Sequence, residues 1–219
     1  NAFSGGVTLN AGGLVLGNNG ALGTGTLTVG ANASLDTTTA LNLTNAADLA
    51  AGANLDLLGS NALTLGGAIS GAGGLIKDGA ATVTLGGANT YTGGTTINSG
   101  TLAIGAGGSL ASTGAVNLTG TGTFDISGAT AGQTIGSLAG VAGSNVALGG
   151  NSLTLGGATD ATFNGTIGGS GALVKNGAGV QTLNGANTFS GGVTLNAGGL
   201  VVGNDAALGT GTLTVGGNS

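Results

Sequence analysis

The chain has 219 residues, 53 of them Gly and none Pro, Cys, Met, Trp or His, with a net charge of −5 from seven Asp and two Lys. Glycine is about three times its average usage, yet there is no Gly-x-y period and no Pro, which excludes collagen. A 40% hydrophobic content with only 4% charge excludes a disordered chain or flexible linker. With no Arg there is no basic footprint for a phosphate backbone or an anionic lipid surface, so neither nucleic acid nor a membrane is expected as partner. No run approaches the ~18 apolar residues of a spanning helix.

From Asn1 the pattern is short apolar–x–apolar triplets separated by Gly, Asn and Ser. Val7-Thr8-Leu9 and Leu14-Val15-Leu16 lead to Leu27-Thr28-Val29, Leu41-Asn42-Leu43, Leu55-Asp56-Leu57 and Leu63-Thr64-Leu65. Alternation over two or three steps is the strand signature, with one face apolar and the other Thr, Asn or Asp. Gly breaks the triplets too often for helices. The Ala-rich stretch Thr44–Asn54 fits either a helical turn or two further short strands, and continuity favours strands. The rhythm resumes at Leu75-Ile76 and Val83-Thr84-Leu85, and then at Tyr91, Thr96-Ile97 and Leu102-Ala103-Ile104. It continues through Val116–Leu118, Phe124–Ile126, Ile135–Leu138, Val146–Leu148 and Leu153–Leu155 to Phe163, Ile167, Leu173-Val174, Thr182-Leu183, Phe189 and Val193–Leu195.

The chain repeats itself. GLIKDGAATVTLGGANTYTGGTTINSGTL over 74–102 returns as ALVKNGAGVQTLNGANTFSGGVTLNAGGL over 172–200, identical at 16 of 29 positions. Its second half also opens the chain over 1–14, so Asn1, Asn89 and Asn187 are equivalent. Residues 1–33 match 187–219 at 27 of 33 positions, a register of 186 residues that reads as an excerpt of a longer tandem array. Between the matches of 61–68 with 151–158 and of Leu75 with Leu173, the later copy carries eight extra residues near Asp160–Ile167. These are expected to widen a corner or add a short strand, as the foremost local protrusion.

Many short strands at regular spacing fit a sandwich, a barrel or a β-solenoid. Uniform self-similarity, strands shorter than the usual five or six residues and an aromatic content of only 2% favour the solenoid, whose narrow core takes stacked Leu, Val, Ile and Ala. Three strands and three corners in roughly 20–25 residues predict about nine or ten turns. At about 4.8 Å per rung these make a rod roughly 45 Å long. A single continuous segment is expected over residues 1–219, with open rows of backbone groups at each end. Those rows are covered by further repeats of the same polypeptide or by identical molecules stacked end to end.

The motif resembles the autotransporter-associated β-strand repeat, also called the passenger-associated transport repeat. The first full copy carries it in Gly73, Gly74, Leu75, Lys77, Gly79, Leu85, Gly87, Asn89, Thr90, Tyr91, Gly93, Gly94, Thr95 and Ile97. The later copy carries it in Leu173, Lys175, Gly177, Gly179, Leu183, Gly185, Asn187, Thr188, Phe189, Gly191 and Gly192. Ala81 and Gln181 depart from the hallmark. The resemblance implies a right-handed parallel β-helix in a large bacterial surface protein of the adhesin type, extracellular and exported across the outer membrane. The absence of Cys reads either as chance in a repetitive chain or as suited to a chain exported unfolded.

Chemistry is sparse. No catalytic, cofactor-binding or metal-binding residue is assigned. There is no His, Cys, Glu or Arg, and Asp36, Asp48, Asp56, Asp78, Asp125, Asp160 and Asp205 stand singly. GTGTFDIS holds Asp125 alone, short of the oxygens that calcium needs. Lys77 and Lys175 are expected at solvated corners, with a role in secretion or cross-linking as the alternative. Tyr91 and Phe189 are expected to pack in the core or at a corner rather than stack on a sugar. The resulting function is a structural or adhesive stalk, a stiff extracellular spacer whose surface ligand is unknown. The alternatives are the repeat of a self-assembling filament or sheath and, last, a polysaccharide-active enzyme.

Overall fold

The structure, a computed structural model, describes residues 1–216. These fold into 26 short strands with no helix, and every strand pairing is parallel. The chain is a β-solenoid of about ten coils. Its longest sheet, the long face, stacks ten strands: Gly13–Leu16, Ala33–Thr37, Asn54–Leu57, Gly74–Lys77, Thr95–Ile97, Val116–Leu118, Leu138–Gly140, Ala161–Phe163, Val180–Leu183 and Gly199–Val202. Partners on this face lie 19 to 23 residues apart, from Val180 opposite Gly199 to Gly140 opposite Phe163. Nine intervals at about 4.8 Å give a rod of about 43 Å.

The other two faces are less continuous. The second face stacks seven strands, from Leu41–Leu43 to Thr166–Gly168. The third begins as four strands from Val7–Leu9 to Ile69–Gly71. It is reduced to the single bridge Ala88–Ser109, then resumes as five strands from Gln133–Ile135 to Leu213–Val215.

Alternation sends every second side chain inward. Along the long face the inward column reads Leu14, Leu35, Leu57, Lys77, Ile97, Leu118, Gly140, Phe163, Leu183 and Val202. Leu35, Leu57, Ile97, Leu118, Phe163 and Leu183 are wholly buried. Gly140 makes room for the ring above it, since a Cβ there would lie 2.5 Å from Phe163 Cε2.

The expected triplets form strands almost throughout. Ala33–Thr37 and Ile69–Gly71 escaped the pattern because small or polar residues, Ala33 and Thr37 in one and Gly71 in the other, take inward positions. Thr44–Asn54 takes the strand option, holding Ala47–Leu49 and the first residue of Asn54–Leu57. Tyr91 and Phe189 lie in irregular segments, not in strands. The eight extra residues are not a protrusion. They add one strand to the coil, and Phe163 and Ile167 are wholly buried there.

Candidate functional site

The motif is where regular strand pairing yields to side-chain bonding. The third face is interrupted after Ile69–Gly71 because the next turn brings in Gly87–Gly94, and the second face ends at Thr166–Gly168 because the next turn brings in Gly185–Gly192. In both places the motif Asn replaces ladder bonds. Asn89, 2% exposed, accepts on Oδ1 from the Ile69 amide at 2.9 Å, one coil before. Through Nδ2 it donates to Gly87 O and, one coil after, to Ser109 O, each at 2.9 Å. Asn187 accepts from the Ile167 amide at 2.7 Å and donates to Ala207 O at 2.6 Å. Asn1 donates to Ala21 O at 2.8 Å. One carboxamide thus joins three successive coils, satisfying buried backbone groups that irregular chain would leave open.

The Gly pair that follows serves two separate needs. A Cβ on Gly93 would collide with the Gly73–Gly74 backbone, and one on Gly191 with Gly171–Ala172. Gly94 and Gly192 take φ of +83° and +82°, a left-handed conformation that L side chains disfavour.

The lysines are not at solvated corners. Lys77 sits in the inward column between Leu57 and Ile97, and Lys175 between Leu155 and Leu195. Both are buried, at 0% and 3% exposed. Their four-carbon stems continue the aliphatic stack, and the ammonium turns to backbone carbonyls at the corner. Lys77 Nζ donates to Asp78 O at 2.6 Å, Gly79 O at 2.9 Å and Ser99 O at 3.3 Å; Lys175 Nζ donates to Gly177 O and Ala197 O. Burial holds both amines below the ordinary lysine value, with neighbouring Asp carboxylates opposing the shift. The signal was present in the sequence: Leu75-Ile76-Lys77 and Leu173-Val174-Lys175 put each Lys on the inward parity.

Tyr91 is buried, and its hydroxyl lies 2.7 Å from Thr95 Oγ1. Burial raises the phenol above its ordinary value, and the bond to Thr95 opposes this. In the later copy the ring is Phe189 and the position equivalent to Thr95 is Val193; in the opening copy they are Phe3 and Val7. Hydroxyl and partner are present together or absent together, as expected of a buried polar pair.

The three copies do not share one orientation. In the opening copy, Val7–Leu9 and Gly13–Leu16 lie on the third and long faces. In the middle copy the equivalent Thr95–Ile97 and Thr101–Ile104 lie on the long and second faces. In the last copy Val193–Leu195 and Gly199–Val202 return to the third and long faces. The motif thus advances by one face over 88 residues and by two more over the next 98, so the 186-residue register closes after nine whole coils.

Asp56 is the one carboxyl set apart by its surroundings. It lies beside Ile76 on the outer side of the long face, and its Oδ1 is buried without a hydrogen-bond partner. Burial first, and then the Asp78 carboxylate, push its pKa up to about 6, while Lys77 acts in the opposite direction. Asp36, by contrast, is held below its ordinary value. Burial raises it, but bonds from the Ser60 hydroxyl and the Thr37 and Ser60 amides outweigh this. Among the described residues no group of three or more Asp side chains could hold a metal ion, and no helix is long and apolar enough to cross a membrane.

These features define a repeat-bearing parallel β-solenoid whose motif staples successive coils. The passenger-associated-transport-repeat family model matches it at residues 1–16, 75–104 and 173–202, so the chain carries two copies of this repeat and a partial one at its opening, covering about a third of its length. No curated protein and no solved structure matches the chain. Repeat and fold together fit a passenger-domain repeat of an autotransporter, a class of exported, cell-surface protein.

Proposed function

We propose that this segment is a stiff extracellular spacer in the passenger region of a bacterial surface protein. The observation that carries this reading is the unbroken ten-strand stack of the long face, reinforced by side-chain bonds between coils. Beyond the motif Asn these include ladders such as Asn184 Nδ2 to Asn164 Oδ1, Asn196 Nδ2 to Asn176 Oδ1 and Asn98 Nδ2 to Asp78 Oδ1, each 2.7 Å. Bending such a rod strains backbone bonds and polar ladders on the same side at once, so it keeps its two ends at a set separation. Ionisable groups are few and spaced along the rod, which suits a mechanical element better than a catalytic one. An adhesive role would belong to whatever the rod holds away from the cell.

The test is an epitope inserted between Ala106 and Gly107, an exposed corner, in the native protein on living cells. The reading expects antibody to label intact cells and added protease to remove the label. Labelling only after lysis overturns it.

A further inference from the structure

We propose that Asn164 is a self-modifying site, at which the Gly165 amide nitrogen displaces ammonia from the Asn164 side chain and water then opens the resulting ring to a carboxylate. The chain has four Asn-Gly steps, at Asn19, Asn164, Asn176 and Asn184, where no Cβ shields the attacking nitrogen. Bonding sets them apart. The Gly20 amide is held by Asn18 Oδ1 at 3.0 Å and the Gly177 amide by Leu155 O at 3.0 Å, so each must break a bond before it can turn on its Asn. The Gly165 and Gly185 amides bond to no described residue, and both glycines are buried. An orphaned buried N–H raises the free energy of the starting state, and ring closure removes that hydrogen altogether.

The two unbonded amides differ in what they attack. Asn164 Oδ1 accepts from Asn184 Nδ2 at 2.7 Å, a donor aimed at the oxygen on which negative charge develops as the nitrogen adds. At Asn184 the roles are reversed: its Nδ2, the group that must leave, is bound up as the donor. Among the four steps Asn164 alone combines an unbonded Gly amide with a polarised side-chain carbonyl. Its side chain is exposed, so water reaches it. The new bond joins Gly165 N to Asn164 Cγ. The amide proton ends on Nδ2, with solvent as carrier, and Nδ2 departs as ammonia. One water then breaks the ring at either carbonyl, giving Asp or isoaspartate.

The fold is prepared for one of these products. Asp78 and Asn176 are equivalent in the two full motif copies, and each is followed by Gly. Each accepts at 2.7 Å from the Asn one coil on, Asn98 and Asn196 respectively. The ladder thus takes carboxylate and carboxamide alike, so an Asp at 164 keeps the bond from Asn184 and gains a charge. Isoaspartate instead adds a methylene to the short corner between Ala161–Phe163 and Thr166–Gly168, where the Thr166 amide is bonded to Ser144 O at 2.9 Å. The inference rests on bonding inside the coil and not on the spacer reading.

The test keeps the chain in mildly alkaline buffer, folded or unfolded in urea. Its peptides are mapped over time by mass spectrometry, with fragmentation that separates Asp from isoaspartate. Unfolded, the four steps are expected to convert together. Folded, Asn164 is expected to lead Asn19 and Asn176 by about 2- to 10-fold, the factor for one hydrogen bond that must first break. Conversion of Asn19, Asn176 or Asn184 ahead of Asn164 overturns the proposal. So does an intact Asn164 in the folded chain while the unfolded chain converts. The folded product is expected to be richer in Asp than the unfolded one, and equal proportions contradict the prepared ladder. Asn184→Asp replaces the donor by an acceptor and slows conversion at Asn164; an equal or faster rate contradicts the polarised carbonyl. Each of these outcomes leaves the spacer reading standing, since it concerns one corner and not the stack.

Discussion

The Tyr91–Thr95 pair offers an experiment whose answer is already written twice elsewhere in the chain. The hydroxyls lie 2.7 Å apart in a buried site, with Tyr91 2% and Thr95 4% exposed. Tyr91→Phe leaves the threonine hydroxyl without its partner, and Thr95→Val leaves the phenol without its own. Each should cost about 1–3 kcal/mol, the desolvation of an unpaired buried group. The double variant Tyr91→Phe/Thr95→Val recreates the Phe189–Val193 arrangement and should fall within about 0.5 kcal/mol of the original, giving a coupling of roughly 2–6 kcal/mol. A solenoid opens coil by coil, so a global melting temperature averages the effect away. Hydrogen exchange at the Thr92 and Thr95 amides, bonded to Gly71 O at 3.0 Å and Ala115 O at 2.8 Å, reads it locally. The singles should accelerate exchange about 10- to 100-fold and the double little. A double variant as fast as the two singles combined would refute the pairing argument.

Other perturbations test other parts of the motif. Asn89→Asp puts a carboxylate against Gly87 O and Ser109 O, two acceptors that the carboxamide now serves as donor. Its folded pKa is then raised, so stability is kept at acid pH and lost as pH rises through that value. Hydrogen-exchange protection of the Thr90 amide, bonded to Ile69 O at 2.8 Å, should show a loss of about 3 kcal/mol or more at pH 7 that shrinks toward pH 4, and a flat profile would count against the staple. Lys77→Met keeps the stem but strips the donor from Asp78 O, Gly79 O and Ser99 O. A loss of about 2–3 kcal/mol in the hydrogen-exchange protection of the Asn98 amide, bonded to Lys77 O at 2.9 Å, is expected, and unchanged protection would mean that the ammonium contributes nothing. Asp56 carries a pKa raised to about 6, so the folded chain binds that proton more tightly than the unfolded chain does. Its contribution is present at low pH and lost as pH rises from about 4 to 6. Asp56→Asn should abolish that slope and gain about 1 kcal/mol at pH 7, a figure discounted for the group's partial exposure to solvent. Parallel slopes in the variant and the original would show that another group titrates there.

Much of the architecture was legible because a solenoid writes its geometry locally. Val7-Thr8-Leu9 or Leu153-Thr154-Leu155 declares a strand, its inward face and its polar outer face in three residues. Strands whose inward positions hold small or polar residues, as Ala33 and Thr37 do in Ala33–Thr37, lose that signal although Leu35 is wholly buried. The lysines were misplaced because charge was weighed above parity. A long aliphatic stem with carbonyls within reach of its tip makes the inward position tolerable. The rotation of the motif between faces was out of reach, since it depends on the varying length of each coil and on how the Asp160–Ile167 segment is absorbed as a strand. The co-variation of Tyr91 with Thr95 and of Phe189 with Val193 was in plain view, but only contact gives it meaning.

The measurement that tests the account most directly is a spin-label distance between Cys residues placed at Val15 and Val201. These positions are exposed on the outer side of the long face, and nine coils separate them. With no native Cys to interfere, the account predicts a narrow distribution centred at about 43 Å plus the reach of the labels. A broad distribution, or a centre below about 30 Å, would contradict a continuous nine-coil rise along one face.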